Sequence, residues 1–467
     1  MEKESTAFTR TRLSYDNKLI LAPMVRIGTL PMRLLALDYG ADIVYTEELV
    51  DRKLIRSIRR ENDVLGTIDY IDQTDGSVVF RTCPREREHV VLQIGTSDPF
   101  RAAEVARIME KDVAGIDVNM GCPRKFSMRG GMGASLLSEP QKAANILKKL
   151  IETVTIPITC KIRVLPDLEE TLQLCDTLAS TGIEAIAVHG RTIEERPQHP
   201  NRNHVLKKIS DRLSIPVIAN GGSKDIQQHS DIFRFKEETG CSSVMLARAA
   251  EWNCSIFRKE GLLSINENVI KSYLKYAVDC DNSPSNTKYC VQNILRELQE
   301  SPLGRKFLDS QTLEQICEVW GLGDYCRSKN KEFRDKGLLG RFQVMPVMFE
   351  KDTKDNNIFH KRKIYEENDV SLMRCAFLRN SYLTDSELPK TRLLKWTKEN
   401  RKKMPVYNTR QEDKLFCSVV TVDSKKYGSS FWEKNKKWAE QGAAIVCLYF
   451  LGVINEESLS TSGNISR

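Results

Sequence analysis

The chain has 467 residues, of which 71 are Lys or Arg and 63 are Asp or Glu; 40% are apolar and 7% are aromatic. This composition is typical of globular proteins and excludes a collagenous, low-complexity or wholly disordered chain. At roughly 150 residues per domain, the length predicts two to four domains.

No targeting or membrane segment is evident. No apolar run approaches the roughly 20 residues that a membrane-spanning helix needs, and residues 1–18 have neither a signal-peptide nor a transit-peptide pattern. We therefore expect a soluble, cytoplasmic protein with no membrane partner. The 13 cysteines lie between Cys83 and Cys447 without a C-x-x-C pair, which favours reduced thiols. The six histidines show no ligand spacing, so we expect no metal centre.

Eight short apolar runs alternate with helix-length amphipathic segments between Leu19 and Ala250. The runs are LILAP, ADIVY, VVLQI, GIDVN, PITCKI, AIAVH, PVIAN and SVML. Their Val and Ile content predicts parallel strands joined by crossover helices, and eight such units predict a (β/α)8 TIM barrel of the α/β class. An open doubly wound sheet is the main alternative, but the G-x-G-x-x-G turn that opens such a sheet is absent. A β-hairpin turning at Asp75-Gly76 interrupts the pattern before the third strand.

Changes in this pattern set the predicted domain boundaries. Residues 1–255 form the barrel domain, and residues 256–340 form a small helical domain. Charged residues dominate residues 341–387, which we expect to be a linker with little structure of its own, although the apolar piece Met373–Leu378 can dock elsewhere. Residues 388–452 form the last ordered unit, and residues 453–467 are expected to be a disordered tail.

The whole net charge of +8 lies in this last unit, because residues 388–452 hold 14 Lys or Arg against 6 Asp or Glu. Its predicted order is α-β-β-β-α, with Lys434, Lys436 and Lys437 opening the second helix, where the helix dipole attracts phosphates. This stretch resembles a double-stranded-RNA-binding domain, which implies that the three lysines contact RNA. Where that family carries Gly-Pro-x-His, this chain has residues 410–414, RQEDK. A merely solvated helix face is the alternative for the lysines.

Polar and basic residues stand at the ends of successive predicted barrel strands, where function sits in such barrels. Gly221 and Gly222 offer open backbone amides and Arg248 offers a bidentate cation, which together suit a phosphate. Gln93 and Lys161 suit the pyrimidine edge of a flavin. Each residue alone is explained as well by a turn, a surface charge or the core. Their combination at consecutive strand ends predicts a phosphorylated cofactor.

The most specific motif is D-V-N-M-G-C-P, residues 117–123, which is followed by a glycine-rich loop at residues 129–134. Cys122 lies between a glycine and a proline at the end of a strand, so it is partly exposed and cannot be absorbed into a helix. Its position over the barrel mouth predicts a catalytic role.

With A-P-M, T-E-E, Q-I-G, K-I-R, V-H-G-R-T and N-G-G in the same order, residues 19–257 resemble the tRNA-dihydrouridine synthase family. The C-terminal domain narrows the resemblance to eukaryotic members that modify uridine 20 of the D-loop. The resemblance implies FMN as cofactor, NADPH as reductant and tRNA as partner, and we expect a monomer. The residues that it implies for FMN binding are Pro23, Met24, Val25, Gln93, Lys161, His189, Asn220, Gly221, Gly222, Ala247 and Arg248. It also implies Cys122 as proton donor and Asn119, Arg163 and Arg191 as contacts to the uracil or the RNA.

The implied reaction reduces the uracil C5=C6 bond, with hydride from reduced FMN to C6 and a proton from Cys122 to C5. A proton donor must be a thiol, so we expect no strong depression of the pKa of Cys122. Two other function classes stay open. A small-molecule flavin reductase of the dihydroorotate or enone type leaves the basic C-terminal module without a purpose, and a non-catalytic RNA-binding regulator leaves Cys122 unexplained.

Overall fold

The computed structural model describes residues 12–73, 76–336, 338, 369–382, 384–412, 415–433 and 435–461. The chain forms two compact units. The first contains the described residues up to Tyr70, together with residues 79–308 and 319–322, and the second contains the rest. Within these described ranges, no helix is long and apolar enough to cross a membrane.

Parallel strands close into a barrel in the first unit. The strands up to the end of the barrel are β1 (Leu19–Leu21), β2 (Ile43–Tyr45), β3 (Leu49–Val50), β4 (Ser57–Asn62), β5 (Thr67–Asp72), β6 (Val78–Thr82), β7 (Val90–Gly95), β8 (Gly115–Met120), β9 (Ile158–Arg163), β10 (Ala185–His189), β11 (Val217–Asn220) and β12 (Ser243–Leu246). Eight of them follow one another in the order β2-β1-β12-β11-β10-β9-β8-β7, and a β2–β7 pairing closes the ring. The predicted TIM barrel is confirmed. The short β3 adds to the edge of β7.

Helices connect the barrel strands and continue beyond them. They are α1 (Leu30–Asp38), α2 (Asp51–Ile55), α3 (Pro99–Met109), α4 (Lys125–Arg129), α5 (Pro140–Ile151), α6 (Leu168–Ala179), α7 (Asn203–Arg212), α8 (His229–Thr239), α9 (Arg248–Trp252), α10 (Ile270–Asp279), α11 (Pro284–Leu295) and α12 (Pro302–Asp309). Local sequence explains where they begin: Asp98 caps α3 by accepting hydrogen bonds from two backbone amides of its first turn, and Pro99 occupies the first helical position.

The barrel interior is filled with side chains, so its chemistry is confined to the rim. Tyr45, Val91, Ala187 and Met245 belong to one buried cluster inside the ring. The strand register then aligns the polar strand ends: His189 pairs with Arg163 on one side and with Asn220 on the other. Because all eight strands are parallel, their carboxyl ends share one rim.

The predicted hairpin before the third barrel strand is present as β5 and β6, which are neighbours in a separate sheet of order β4-β5-β6. Gly76 has a left-handed φ of 65°, as a tight turn requires, and Asp75 lies outside the described residues. The remaining strand of this small sheet, β4, is not predicted from the sequence, because its sequence SIRREN is too rich in charge to stand out as an apolar run.

The second unit contains the predicted α-β-β-β-α domain. Its elements are α13 (Leu313–Val319), α14 (Gly323–Asp335), β13 (Val370–Met373), α15 (Pro389–Glu399), β14 (Val406–Glu412), β15 (Leu415–Val422), β16 (Lys425–Ser429), α16 (Lys436–Phe450) and α17 (Glu456–Thr461). The sheet has the order β13-β16-β15-β14. Leu393 of α15 and Ala443 of α16 share a buried cluster with Val420 and Tyr427 of the sheet.

Three of the expected domain boundaries differ in the structure. The helical segment 256–340 is not a unit of its own, because α10 and α11 belong to the first unit and α14 to the second. An amphipathic pattern shows that a helix has a buried face but not which neighbour covers it.

The expected linker contains structure near its end: β13 pairs in parallel with β16, and Cys375 and Phe377 are buried in the same core as α16. These residues belong to the apolar piece already noted, and residues 339–368 lie outside the described residues. At the other end, α17 extends the domain, because Leu459 is only 2% exposed in that core. Residues 456–461 are therefore not a disordered tail. One apolar residue in a polar run was too weak a signal to predict this.

Candidate active site

The structure gathers the predicted barrel residues at one rim. Six of them lie on the strands themselves: Gln93 on β7, Asn119 on β8, Lys161 and Arg163 on β9, His189 at the end of β10 and Asn220 at the end of β11. Others follow a strand: β1 is followed by Pro23, Met24 and Val25, β11 by Gly221 and Gly222, and β12 by Ala247 and Arg248. Cys122 comes two residues after β8. Lys436 and Lys437 open α16 in the second unit, and Lys434 lies outside the described residues.

A chain of buried hydrogen bonds crosses the rim from Asp117 to Cys122. Gln93 Nε2 donates to Asp117 Oδ2 at 2.8 Å, and Asn119 Nδ2 donates to Gln93 Oε1 at 3.1 Å. Asn119 Oδ1 in turn accepts from the backbone amides of Gly121 and Cys122, each at 3.0 Å. An ionised carboxylate only accepts, so Asp117 fixes the orientation of both amides. The backbone of Cys122 is therefore positioned by a carboxylate on the strand before it.

Asp117 itself is an unusual buried acid. It is fully buried, and Thr159 Oγ1 donates to its second oxygen at 2.7 Å. Burial raises the pKa of Asp117 to about 6, while the hydrogen bonds from Gln93 and Thr159 and the nearby ammonium of Lys161 oppose the rise. The acid is thus mostly ionised at pH 7 and titrates just below it.

The loop after β8 encloses Cys122 from the other side. The backbone carbonyl of Cys122 accepts from the backbone amide of Ala134 at 3.0 Å. A Cβ atom at Gly133, whose φ is 60°, would lie only 2.7 Å from the Cys122 carbonyl oxygen. The thiol is partly exposed. Burial and the carboxylate of Glu48 raise its pKa, so it is held as the protonated thiol that a proton donor must be.

Cations dominate the part of the rim that begins at β9, the neighbour of β8. Burial and Arg163 lower the pKa of Lys161 to about 8. Burial and the surrounding Lys161, Arg163, Arg191 and Arg248 hold the pKa of His189 well below its usual range, so this imidazole is neutral. In the part of the chain that the structure describes, neither the Lys161 ammonium nor the Arg248 guanidinium has a hydrogen-bond or ion-pair partner. Such a concentration of unpaired charge suits an anion.

Two arginines predicted to face substrate are anchored to backbone carbonyls. Arg163 donates to Gly121 O at 2.8 Å and to Thr192 O at 3.0 Å. Arg191 is only 5% exposed and donates to His199 O and Gly221 O. Each holds two rim loops in place. Arg191 Nη1 also lies 3.3 Å from His189 Nε2. Because a guanidinium can only donate, Nε2 is the acceptor, and the proton of the neutral imidazole is on Nδ1.

Three residues at this rim have no role predicted from the sequence. Asp117 and Glu48 were part of quoted motifs, but their contacts cannot be inferred from spacing. Asn201 carried no signal at all. A Cβ atom at Gly221, whose φ is 116°, would lie 2.1 Å from Asn201 Oδ1, so only glycine fits there. This buried oxygen has no hydrogen-bond partner within the described ranges, which leaves an acceptor open to a bound ligand.

Comparison with known proteins identifies the family of the chain that carries this rim. Residues 20–301, well over half of the chain, match the family model described as dihydrouridine synthase (Dus). The chain belongs to the dihydrouridine synthase family. Residues 389–451 match the double-stranded RNA binding motif, so the basic C-terminal domain is one that binds structured RNA.

Curated relatives agree with this assignment. The chain is 36% identical over 383 residues to the tRNA-dihydrouridine(20) synthase [NAD(P)+] of Schizosaccharomyces pombe, covering 77% of this chain and 78% of the relative. It is 35% identical over 300 residues to the Saccharomyces cerevisiae protein of the same name, covering 61% of this chain and 78% of the relative. A solved tRNA-dihydrouridine(20) synthase dsRBD domain is 46% identical, covering 18% of this chain and 89% of that structure, with a TM-score of 0.17.

Dihydrouridine synthases use FMN with NAD(P)H as reductant, and the rim fits FMN. The unpaired Arg248 suits the phosphate, and the unpaired Lys161 suits the anionic edge of a reduced flavin. The open acceptor on Asn201 matches a donor on the ligand. The described rim therefore offers both the charge and the hydrogen-bonding groups that this cofactor needs.

We expect FMN affinity to fall as the pH rises through about 8. Below that pH Lys161 is protonated and attracts the anionic cofactor; above it the ammonium loses its charge. Lys161→Met should bind FMN about 10- to 100-fold more weakly at pH 7 and show no further loss towards pH 9. Lys161→Arg, which keeps the charge, is the control. Titration of the apoprotein with FMN, followed by quenching of flavin fluorescence, measures each affinity, and a wild-type affinity constant from pH 7 to 9 would contradict the assignment.

We expect dihydrouridine formation in a single turnover to decline below pH about 6, where Asp117 takes up a proton and no longer fixes the amide of Gln93. Asp117→Asn resembles the protonated acid in size and charge. Its rate should be about tenfold lower than that of the wild type at pH 7 and flat between pH 5 and 7. An Asp117→Asn profile with the wild-type acidic limb would show that another group titrates there.

Proposed function

We propose that this chain reduces uridine to 5,6-dihydrouridine in tRNA, at position 20 of the D-loop, with FMN as cofactor and NAD(P)H as reductant. One observation carries the proposal: the protonated thiol of Cys122 stands at the same rim as the cations that suit FMN, in a chain that belongs to the dihydrouridine synthase family. The relatives named tRNA-dihydrouridine(20) synthase [NAD(P)+] support the position and the reductant.

The C5=C6 bond of uracil is conjugated to a carbonyl, so C6 accepts a hydride and C5 then needs a proton. Reduced FMN, when bound, supplies the hydride that reaches C6. Cys122 donates the proton to C5 and becomes a thiolate. Asn119 and Gln93 hold its backbone in place, so the thiol does not have to be ordered during the reaction. After product release, solvent returns one proton to Cys122.

Arg163 is placed to orient the uracil, because Nε and Nη1 of its guanidinium donate to carbonyls of rim loops. Its Nη2 has no hydrogen-bond partner among the described residues. A uridine stacked within folded RNA cannot reach the rim, so we propose that the base is flipped out of its stack into the barrel mouth. This extrusion has an energetic cost, and binding of the surrounding RNA offsets it.

The C-terminal domain supplies that binding. Glu412 pairs with Leu415, and residues 410–414, which stand where the family carries Gly-Pro-x-His, have the sequence RQEDK. Contact with RNA then depends on the start of α16, where Lys436 and Lys437 are both exposed and Lys437 has no partner in the described part of the domain. That the protein works as a monomer in the cytoplasm stays a prediction from the sequence.

We expect Cys122→Ala to bind FMN and tRNA like the wild type but to form no dihydrouridine at position 20. The methyl group keeps the fold of the loop and removes the proton donor. The test incubates FMN-loaded protein with NADPH and unmodified tRNA and maps dihydrouridine by mass spectrometry of nuclease fragments. Full turnover by Cys122→Ala would refute the proton-donor role. A wild-type protein that oxidises NADPH without altering tRNA would favour a small-molecule reductase, and one without bound flavin would favour an RNA-binding regulator.

We expect Lys436→Ala/Lys437→Ala to weaken tRNA binding and to make its salt dependence shallower. Each lysine that contacts a phosphate releases about 0.7 to 0.9 counterions, so the slope of log affinity against log salt should fall by up to about two. FMN content should not change. Filter binding from 50 to 300 mM salt measures both quantities.

Lys403→Ala/Lys425→Ala is the matched control, with the same change of charge. Both residues are exposed at the Asp423 turn, which joins β15 to β16, whereas α16 follows the other end of β16. Equal loss of affinity in the two double variants would show that net charge, rather than the start of α16, binds the RNA.

A further inference from the structure

We propose that Glu48 is a positioning residue for Cys122: its carboxylate accepts from the thiol and keeps it protonated between turnovers. This inference rests on the proposed role of Cys122 as proton donor. Glu48 is the second acid of the Thr46-Glu47-Glu48 segment between β2 and β3, and nothing in the sequence assigns it a function.

The first observation is where the Glu48 carboxylate is held. Its Oε1 accepts from Ser127 Oγ at 2.7 Å, and Ser127 is only 2% exposed on α4, the helix that follows Cys122. A Cβ atom at Gly95 would lie 2.7 Å from the same oxygen. The carboxylate is thus inserted between the end of β7 and the loop after β8, where a larger residue at position 95 would displace it.

The second observation is that Ser127 and Cys122 are side by side. A Cβ atom at Gly133 would lie 3.1 Å from Cys122 Cβ and 3.2 Å from Ser127 Cβ, so both side chains border the same glycine. A carboxylate bonded to Ser127 is therefore close to the thiol, and its negative charge raises the pKa of Cys122.

The third observation is the balance of charge around the thiol. Lys161 and Arg163, both from β9, lie near enough to interact with a Cys122 thiolate, and each would favour loss of the proton. The backbone amide of Arg124 and the hydroxyl of Ser127 favour the thiolate as well. Burial and Glu48 act in the opposite direction. Glu48 is the one acid of this group, so it offsets the cations that the flavin site requires.

This balance matters once in every catalytic cycle. When the S–H bond of Cys122 breaks and a C5–H bond forms on uracil, a thiolate remains beside Lys161 and Arg163. It must recover one proton from solvent before the next uridine is reduced. A neighbouring carboxylate makes the thiolate more basic, so this proton is recovered at neutral pH and the resting enzyme holds the acid form.

The test measures the protonation of Cys122 directly in the FMN-loaded, full-length protein. Iodoacetamide alkylates thiolates, so the alkylation rate of Cys122 is measured against pH by mass spectrometry of its peptide. The midpoint of this curve is the pH at which half of the Cys122 thiol is ionised. Cys83, the other cysteine that is partly exposed in the described residues, serves as an internal reference in the same digest. We expect Glu48→Gln to lower the Cys122 midpoint by about one pH unit and to leave that of Cys83 unchanged.

Glu47→Gln is the matched control. It removes the same charge one residue away, and its side chain still accepts from the Arg26 backbone amide as Glu47 does at 2.8 Å. Its Cys122 midpoint should equal that of the wild type. In single-turnover reduction of tRNA, the alkaline limb of the pH profile should move down with the midpoint in Glu48→Gln but not in Glu47→Gln, and Glu48→Asp, whose carboxylate is withdrawn from the thiol, should show a smaller shift in the same direction.

An unchanged Cys122 midpoint in folded, FMN-loaded Glu48→Gln would overturn the proposal, as would an equal shift in Glu47→Gln. If Glu48→Gln does not fold, the comparison passes to Glu48→Asp, which withdraws the carboxylate by one methylene. A Cys122 midpoint identical to that of the wild type in this variant would then refute the contact. Alkylation does not require uridine, so failure of the proposed function would appear separately, as a shifted midpoint in a protein that makes no dihydrouridine.

Discussion

The parallel register of the closed barrel is the constraint on which this site depends. Every barrel strand runs in the same direction, so one rim receives the carboxyl ends of all eight. The register sets which residues meet there: Asn119 pairs with Lys161, and His189 pairs with Arg163 and Asn220. A slip of one residue on any of these strands would turn its polar side chain away from the rim and into the surrounding helices. Strand pairing deep in the barrel thus determines the chemistry at its mouth.

That rim is built at a cost to the folded protein. Lys161 is half-buried with a pKa lowered by burial and by Arg163, and burial together with four neighbouring cations keeps His189 neutral, so the apoprotein holds charge that it would be more stable without. Arg163 and Arg191 avoid part of this cost because backbone carbonyls accept from them. Lys161 and Arg248 have no such partner in the described chain. An anionic cofactor supplies the missing partner, so its binding and the stability of the rim are linked.

How much the sequence predicted depends on whether a feature is local. The eight Val- and Ile-rich runs are local signals, and each became a barrel strand within one or two residues of its expected ends. The α-β-β-β-α order was equally local. In contrast, β4 lacks an apolar run, and β13 and α17 are ordered by a few side chains that pack on a distant sheet, such as Phe377 and Leu459.

The site shows the same division. Residues within strand-end motifs lie at the rim, because a motif marks the position where a strand ends. Asn201 lies in a loop whose sequence has no special composition, and only the fold brings it against Gly221. The acceptor roles of Asp117 and Glu48 likewise require knowledge of their partners on other strands.

The two demands of the proposed reaction conflict electrostatically, and the barrel separates them around its ring. The anionic cofactor is stabilised by positive charge. The same charge lowers the pKa of a thiol and so depletes the protonated form that donates the proton. The cations come from β9 and from the strands after it, ending with Arg248 beyond β12. The acids come from the other arc: Asp117 lies on β8 and Glu48 precedes β3, which pairs with β7. Cys122 stands where these arcs meet. Its protonation is therefore set by the order of strands around the barrel, and the acidic arc is as necessary to the site as the basic one.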